Sequence, residues 1–193
     1  MKHAPLADLD RFTSRQYARM IDHGVLGEDD SIELLDGLLL VKEPQSSPHR
    51  TALLLVAKAL EQAFGNRWFV QTQSAIILDH RSEPEPDVSV VRGAPRDYVE
   101  SHPRNPALVV EVAQSGLRIA RGRKAAAYAR AGLADYWIVN LVDRVLEVYR
   151  EPARPGPALR RSSYVSVVTL DAAATIAPLA VPSTRVRVAD LLP

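Results

Sequence analysis

The pattern of apolar and polar positions along the chain alternates between the period of strands and the period of helices. Asp36-Gly37 stands between the apolar runs of IELL and LLLV, which predicts a tight hairpin turn. Other short apolar runs predict further strands. These strands are expected at residues 68–71, 75–78, 87–91, 107–113, 136–140, 145–149, 164–170 and 186–189.

Helix signals separate several of these strands. Thr13 and Gln16 have the spacing of a capping box, and Gly24 is well placed to end the short helix that this box begins. Ser47 as N-cap and Pro48 at the first helical position predict a longer helix that ends near residue 64. A third helix is predicted over residues 119–131, before Gly132.

Strands interleaved with helices, with hairpins among them, predict an α/β fold with a mixed central β-sheet flanked by helices. The length of 193 residues is that of a single domain over 1–193. The stretch EPARPGPALRR is rich in proline and arginine, which predicts a surface linker. We therefore expect a core over residues 12–150, followed by a linker and a C-terminal β extension over residues 151–193.

Composition narrows the classes of function. The chain has no cysteine, which excludes disulfides and thiolate metal sites. The N-terminal segment MKHAPLADLDRF lacks the apolar region of a signal peptide, and the longest apolar stretch, 52–57, is too short to span a bilayer. No membrane association and a cytoplasmic location are expected.

The formal net charge of +1 gives no support for nucleic-acid binding, but basic residues cluster in the second half of the chain. Such a cluster can follow a phosphate backbone, or it can be ordinary solvated surface. Within it, Arg121 is a candidate substrate contact. The cluster comprises Arg118, Arg121, Arg123, Lys124, Arg130, Arg144, Arg150, Arg154, Arg160 and Arg161.

A carboxylate stands inside the apolar run PALVVEVAQS. Glu111 would be buried in this strand, where a lone carboxylate costs several kcal/mol unless a cation accompanies it or its pKa changes. Asp87 begins the preceding strand and Glu33 lies in the hairpin, so three carboxylates can converge at one edge of the sheet. Oxygen ligands of this kind suit Mg²⁺ or Mn²⁺.

Lys124 follows the Glu111 strand in the next predicted helix. Tyr128 and Ala131 share its face at i+4 and i+7, and this face is apolar enough to lie on the sheet. Lys124 would then point toward the carboxylates. A metal ion would activate water and polarise a phosphoryl oxygen, and the ammonium would stabilise negative charge in the transition state.

Simpler interpretations stay open for each residue. Glu111 and Lys124 can form a plain buried ion pair, Asp87 can cap a turn, and Glu33 can be a solvated hairpin residue. His49 can be a surface or capping residue in the first turn of its helix. The aromatic residues Tyr128, Tyr136 and Trp137 are expected in the core rather than on a base-stacking surface.

Pro86-Asp87 followed by Glu111 in an apolar strand resembles the PD-(D/E)xK restriction-endonuclease-like superfamily. Within it, the chain resembles the Uma-type family of putative restriction endonucleases, a bacterial group. The resemblance runs from about residue 12 to residue 150 and implies a restriction-endonuclease-like core. The stretches that carry it are IELLDGLLL, SSPHR, EPDVSVV, ALVVEVAQS and RGRKAAAYARAGLADYWIVN.

This resemblance implies that Asp87 and Glu111 bind metal and that Glu33 is an accessory acid. The superfamily lysine often stands two residues after the glutamate, where this chain has Ala113, so the role falls to Lys124. A second departure is Ala120, where the family often has aspartate. The resemblance also places His49 and Gln114 near the substrate.

The resulting hypothesis is a Mg²⁺- or Mn²⁺-dependent endonuclease that cleaves nucleic acid, with DNA the expected substrate. Asp87, Glu111 and the backbone carbonyl of Val112 are the expected metal ligands, with Lys124 and Glu33 as catalytic partners. Enzymes of this type often work as dimers, so a homodimer is expected. The alternatives are a binding or scaffold protein that keeps the nuclease fold without catalysis, and a purely structural ion-pair network.

Overall fold

A helix and a hairpin begin the part of the chain that the computed structural model describes, which is residues 11–27, 30–42, 45–156 and 161–193. Helix α1 (Ser14–Asp22) opens with the predicted capping box between Thr13 and Gln16. Strands β1 (Ile32–Leu35) and β2 (Leu38–Val41) pair antiparallel, with Leu35 opposite Leu38. The predicted turn at Asp36-Gly37 is therefore confirmed.

The long helix α2 (Ser47–Phe64) follows the hairpin and ends where it was predicted to end. Its N-cap is Ser46, so the expected N-cap at Ser47 is wrong by one residue. Ser46 has extended backbone angles, and its hydroxyl accepts a hydrogen bond from the N–H of His49. Pro48 is compatible with an N-cap at Ser46 or at Ser47, because the first N–H groups of a helix have no intrahelical acceptor and proline has no N–H to leave unpaired.

Six strands form the mixed central sheet in the order β3-β4-β5-β6-β7-β8. Only β5 and β6 run parallel, and the other neighbours are antiparallel. This arrangement confirms the predicted mixed α/β fold. The strands are β3 (Trp68–Thr72), β4 (Val88–Arg92), β5 (Leu108–Ala113), β6 (Asp135–Asn140), β7 (Val145–Ala153) and β8 (Ser163–Leu170).

A helical segment connects the parallel strands β5 and β6. It consists of α3 (Leu117–Ile119), a π-turn (Ala120–Lys124) and α4 (Ala125–Ala131), and it ends at Gly132, which has φ +81°. The predicted helix is confirmed, although it starts two residues earlier. The π-turn was not predicted. Ala131, which was expected on the buried face, is exposed.

The strand predicted at residues 75–78 is wrong. The backbone N–H groups of this segment donate to three separate places, the carbonyls of Pro84, Pro103 and Ser82, rather than to one neighbouring strand. Its apolar side chains are still used, because Ile76 is fully buried beside the sheet. The apolar run therefore predicted the burial of this segment correctly, but it wrongly predicted that the segment pairs with a neighbouring strand.

The C-terminal part of the chain contributes to the same sheet. Strand β7 continues to Ala153, and β8 pairs with it, so that Leu170 lies opposite Leu146. Two short strands, β9 (Thr175–Ile176) and β10 (Val186–Arg187), pair with each other. A 3₁₀-helix (Val188–Leu191) replaces the end of the strand predicted at 186–189, since the N–H groups at 188 and 189 donate to carbonyls of the 172–174 turn.

Some expectations fall outside the described residues. These are the first ten residues of the N-terminal segment and residues 157–160 of the predicted linker, including Arg160. The division into a core and an extension at residue 150 stays a prediction.

Each face of the sheet carries its own apolar layer. Helix α2 and the C-terminal residues cover one face, while α4 and the segment around Ile76 cover the other. Trp137, Tyr128 and Tyr136 are fully buried, which confirms the expectation that these aromatic residues belong to the core. In the described ranges, no helix combines the length and hydropathy that crossing a bilayer requires. The cytoplasmic location stays an expectation from the sequence.

Candidate active site

Two neighbouring strands bring Asp87 and Glu111 to the same place. In the antiparallel pair of β4 and β5, Val88 lies opposite Val110. Asp87, which directly precedes β4, therefore stands next to Glu111 along the ladder. The backbone N–H of Val112 donates to Asp87 Oδ2 at 2.7 Å, which fixes this carboxylate against β5.

Lys124 lies at the centre of the cluster. Its Nζ donates to Glu111 Oε1 at 2.9 Å and Oε2 at 3.1 Å, and it lies 3.1 Å from Glu33 Oε1. All three side chains are less than one tenth exposed. The predicted convergence of Glu33, Glu111 and Lys124 is thus what the structure contains, and Glu33 is not a solvated hairpin residue.

Glu33 is held by its strand and by a loop. It stands on β1, and its Oε2 accepts a hydrogen bond from the backbone N–H of Glu85 at 2.9 Å. The loop that contains Glu85 pairs with β1 through a bridge between Leu34 and Glu83. The hairpin is therefore tied to the segment that leads into Asp87.

Burial and charge shift the proton affinities of the cluster. Burial raises the pKa of Glu111 to about 7 against the opposing effect of Lys124, and the charges of Asp87 and Glu33 add to the rise. Burial alone lowers the pKa of Lys124, but the charges of these carboxylates outweigh it, and the net shift is upward. Lys124 is therefore a stable ammonium, while the proton of Glu111 exchanges near neutral pH.

His49 reaches the cluster from the first turn of α2. Its Nε2 lies 2.9 Å from Asp87 Oδ1. Burial lowers the pKa of His49, but the hydrogen bond and charge of Asp87 raise it above its ordinary value. His49 is therefore part of the site and more than a cap of its helix.

A cavity of about 160 Å³ opens over these residues. It is lined by the carboxylates, by Lys124 and His49, and by the backbone that follows β5, including Gln114. Gln114 Oε1 accepts a hydrogen bond from Ser46 at 2.8 Å, so residues before α2 and after β5 are linked across the cavity. Gln114 thus lines the cavity, and its contact with substrate stays a prediction.

Arg121 is engaged elsewhere. Its guanidinium forms a bidentate ion pair with Glu147 on β7, with distances of 2.5 Å from Nη2 to Oε1 and 3.0 Å from Nε to Oε2. It is not among the residues that line the cavity. Its expected contact with substrate stays a prediction.

Some residues of the site were missed by the sequence reasoning. Tyr128 was assigned only to the core, but its hydroxyl donates to Glu111 Oε1 at 2.8 Å. Glu85 lines the cavity and forms an ion pair with Lys42, which lies just after β2. The signal that could have indicated Glu85 is the acidic loop SEPEP directly before Asp87.

The carboxylate oxygens of the site are ligands of the type that a hard divalent cation binds, although they also accept hydrogen bonds. Among the described residues, no three acidic or histidine side chains are grouped as ready metal ligands. Within the described ranges, each oxygen of Asp87 accepts from one partner and so does Glu111 Oε2, which leaves a lone pair on each of these oxygens for a cation. Carboxylate oxygens are the ligands that Mg²⁺ and Mn²⁺ prefer. Asp87 and Glu111 are therefore suitable ligands.

Comparisons with known proteins concern the fold and the family of the chain. The fold is similar to the crystal structure of a putative nuclease belonging to DUF820 from Anabaena variabilis, with a TM-score of 0.68 and 14% identity over 88% of this chain and 94% of that chain. At this identity the likeness concerns the fold. No functionally curated protein matches the chain. A family model described as Uma2, putative restriction endonuclease, matches residues 15–189, which is most of the chain. The family predicted from the sequence is confirmed, and the chain belongs to the Uma2 family of putative restriction endonucleases.

Proposed function

We propose that this protein is a divalent-metal-dependent endonuclease that hydrolyses phosphodiester bonds in nucleic acid, with DNA as the substrate. Family membership supports nuclease activity in general. The observation that carries the proposal is the position of the Lys124 ammonium, which touches Glu33 and Glu111 in a cavity that Asp87 also lines. Carboxylates and an ammonium on one cavity wall are the groups that phosphodiester hydrolysis requires.

In this proposal Asp87, Glu111 and the carbonyl of Val112 hold Mg²⁺ or Mn²⁺. When bound, the ion lowers the pKa of a water ligand and polarises a phosphoryl oxygen. Lys124 presents a fixed positive charge to the negative charge that develops on the phosphate.

The remaining cavity residues position the substrate. Three carboxylates face one ammonium, so the cluster carries excess negative charge that a divalent cation would offset. His49 and Gln114 present ring and amide groups at the cavity, where they would contact phosphate oxygens. Glu33 Oε1 lies 3.1 Å from Lys124 Nζ, and Glu33 acts as the accessory acid.

A second candidate is a protein that keeps the nuclease fold for binding or as a scaffold. The closed hydrogen-bond network favours it, because both oxygens of Asp87 and both oxygens of Glu111 already have partners. Ala113 also stands where the superfamily lysine often stands. A purely structural ion-pair network would give the same contacts without any affinity for metal.

The test is cleavage of supercoiled plasmid and of single-stranded DNA with Mg²⁺ or Mn²⁺. Wild type is compared with Lys124→Met, Glu111→Ala and a control, Lys58→Met, which changes an exposed lysine of α2. The proposal predicts metal-dependent nicking by wild type and Lys58→Met, with loss of at least about 100-fold in the other two variants. Equal cleavage by all four proteins would indicate a contaminating nuclease and remove the assignment.

A homodimer belongs to the same proposal, because cutting two strands needs two sites. Among the described strands, β8 is an edge of the central sheet, and Val165, Val167 and Val168 on it are about half exposed or more. Sedimentation velocity tests this state. If the wild type is a dimer and Val167→Lys is a monomer, the result supports pairing through β8. A wild type that stays monomeric at about 100 μM, a concentration well above the dissociation constants of stable dimers, contradicts it.

A further inference from the structure

The π-turn at Ala120–Lys124 determines which residues of its helical segment face the cavity. The N–H of Ala125 donates to the carbonyl of Ala120, five residues back, as in a π-helix. In an α-helix, with about 100° per residue, Ile119 and Lys124 would lie about 140° apart. The wider turn brings them toward one face, and Ile119, Ala120 and Lys124 all line the cavity.

Two side-chain contacts hold this turn from outside the cavity. The buried hydroxyl of Tyr136 on β6 donates to the Ala120 carbonyl at 3.1 Å. Arg121, the second residue of the turn, forms the bidentate ion pair with Glu147 on β7. The turn is therefore fixed to two neighbouring strands of the sheet.

Glu147 is itself held firmly. It is 5% exposed, and it accepts further hydrogen bonds from Asn140 Nδ2 at 2.9 Å and from the Tyr149 hydroxyl at 3.0 Å. Burial raises the pKa of Glu147, but its hydrogen bonds with Arg121, Asn140 and Tyr149 reverse this effect and hold the pKa below its ordinary value. A carboxylate fixed in this way is a rigid anchor for Arg121.

We propose that Tyr136, Arg121 and Glu147 are positioning residues for Lys124. They stabilise the π-turn, and the π-turn fixes where the Lys124 ammonium lies relative to Glu33 and Glu111. Short π-turns are rare in helices and occur often at functional sites. The positioning of Lys124 by these residues does not depend on catalysis. The expected effect on kcat rests on the proposed nuclease function.

The first test compares Tyr136→Phe with Tyr164→Phe. Tyr164 is a matched control, because it lies in the same aromatic cluster and its hydroxyl also donates to a backbone carbonyl, that of Leu133 at 2.9 Å. The readout is the ¹⁵Nζ resonance of Lys124 in protein labelled at lysine. The chain has only four lysines, Lys2, Lys42, Lys58 and Lys124, so Lys124→Met assigns the signal.

The expected result is a shifted or faster-exchanging Lys124 signal in Tyr136→Phe and an unchanged signal in Tyr164→Phe. With plasmid substrate and Mg²⁺, Tyr136→Phe should lower kcat roughly tenfold at unchanged KM, because misplacement by about 1 Å can cost up to about 100-fold. Identical Lys124 signals in the two variants would overturn the proposal.

Arg121→Gln is a second variant. It leaves the buried Glu147 without its cation, so circular dichroism and thermal unfolding first establish that the variant is folded. Its control is Arg187→Gln, which breaks an exposed bidentate pair with Asp190 far along the chain. A positioning role predicts that only Arg121→Gln moves the Lys124 signal and lowers kcat. An unchanged signal with a raised KM would instead assign Arg121 to substrate contact and overturn the proposal. If the signal moves but Lys124→Met cleaves like wild type, the nuclease function fails and the positioning role stands.

Discussion

The Lys124 ammonium lies 2.9 Å from Glu111 Oε1, although the two residues are 13 positions apart and belong to different elements. The position two residues after Glu111, where the superfamily often has its lysine, holds Ala113, which lines the same cavity without an amine. The helix after β5 thus supplies the cation that the strand lacks.

Glu111 should make the stability of the protein depend on pH. Burial raises its pKa from 4.5 to about 7 in the folded state. Between these values the folded state keeps a proton that the unfolded state has lost, so the free energy of unfolding falls as pH rises through this window. The fall contributed by Glu111 is at most roughly 3 kcal/mol. Urea unfolding at several pH values should show a flatter profile for Glu111→Gln, and parallel profiles would contradict the assignment.

Lys124→Met should destabilise the protein by roughly 3–5 kcal/mol at pH 8, because it leaves Glu111 and Glu33 buried without a shared cation. Lys58→Met, on an exposed face of α2, should stay within about 0.5 kcal/mol of wild type. Adding Glu111→Gln to Lys124→Met should recover part of the loss, since one uncompensated charge is removed. If Lys124→Met is as stable as the Lys58 variant, the ion-pair cluster does not carry the stability assigned to it.

Isothermal titration calorimetry should detect binding of Mn²⁺ by the wild type, and Asp87→Asn should abolish it. The substitution removes a charged ligand while the amide keeps the shape of the side chain. Asp171→Asn, at an exposed turn, is the control and should bind like wild type. A wild type without any heat of Mn²⁺ binding would favour the scaffold alternative.

A second buried ion pair should matter for stability without touching the site. Asp135 is fully buried and accepts hydrogen bonds from Arg150, from Trp137 Nε1 and from the N–H of Leu179, which ties the C-terminal segment to the sheet. Arg150→Met should cost roughly 3–5 kcal/mol. Arg187→Met, which breaks a surface pair, should cost less than about 1 kcal/mol. If the two variants unfold thermally at the same Tm, the buried pair contributes no more to stability than the surface pair does.

Gly37→Ala should loosen the hairpin that carries Glu33. Gly37 has φ +73°, and an added Cβ would lie 2.7 Å from Arg11 Cβ. Gly132 has φ +81° and ψ +18°, in the left-handed helical region, with open space around it, so Gly132→Ala measures the cost of that backbone conformation alone, about 1–2 kcal/mol. The expected loss of unfolding free energy is larger for Gly37→Ala than for Gly132→Ala. Equal losses would mean that Arg11 moves away from the added Cβ without any cost in unfolding free energy.

Local chemistry explains which parts of the fold could be predicted. The hairpin at Asp36-Gly37 follows from two residues that tolerate positive φ, and the α2 helix follows from serine and proline at its start. The segment 75–78 could not be predicted correctly, because an apolar run does not show where backbone N–H groups find acceptors. The acceptors of this segment are carbonyls of irregular backbone at Ser82, Pro84 and Pro103 rather than of one strand.

Some residues of the candidate site could likewise be predicted from the sequence, and others could not. Glu111 was identifiable because an unpaired carboxylate inside an apolar strand needs a partner, and Lys124 because its helix must lie on the sheet. The hydroxyl of Tyr128 and the partner of Arg121 depend on how the helix is rotated about its axis. The unpredicted π-turn sets that rotation, and only the packed structure contains it.

The most direct measurement is a crystal structure of the protein soaked in Mn²⁺, with anomalous diffraction used to locate the ion. The nuclease account predicts an anomalous peak within bonding distance of carboxylate oxygens of Asp87 and Glu111, with Lys124 still directed into the same cavity. A clear structure in which these two carboxylates keep their hydrogen bonds to His49, Val112, Lys124 and Tyr128, and in which no ion lies between them, would contradict it.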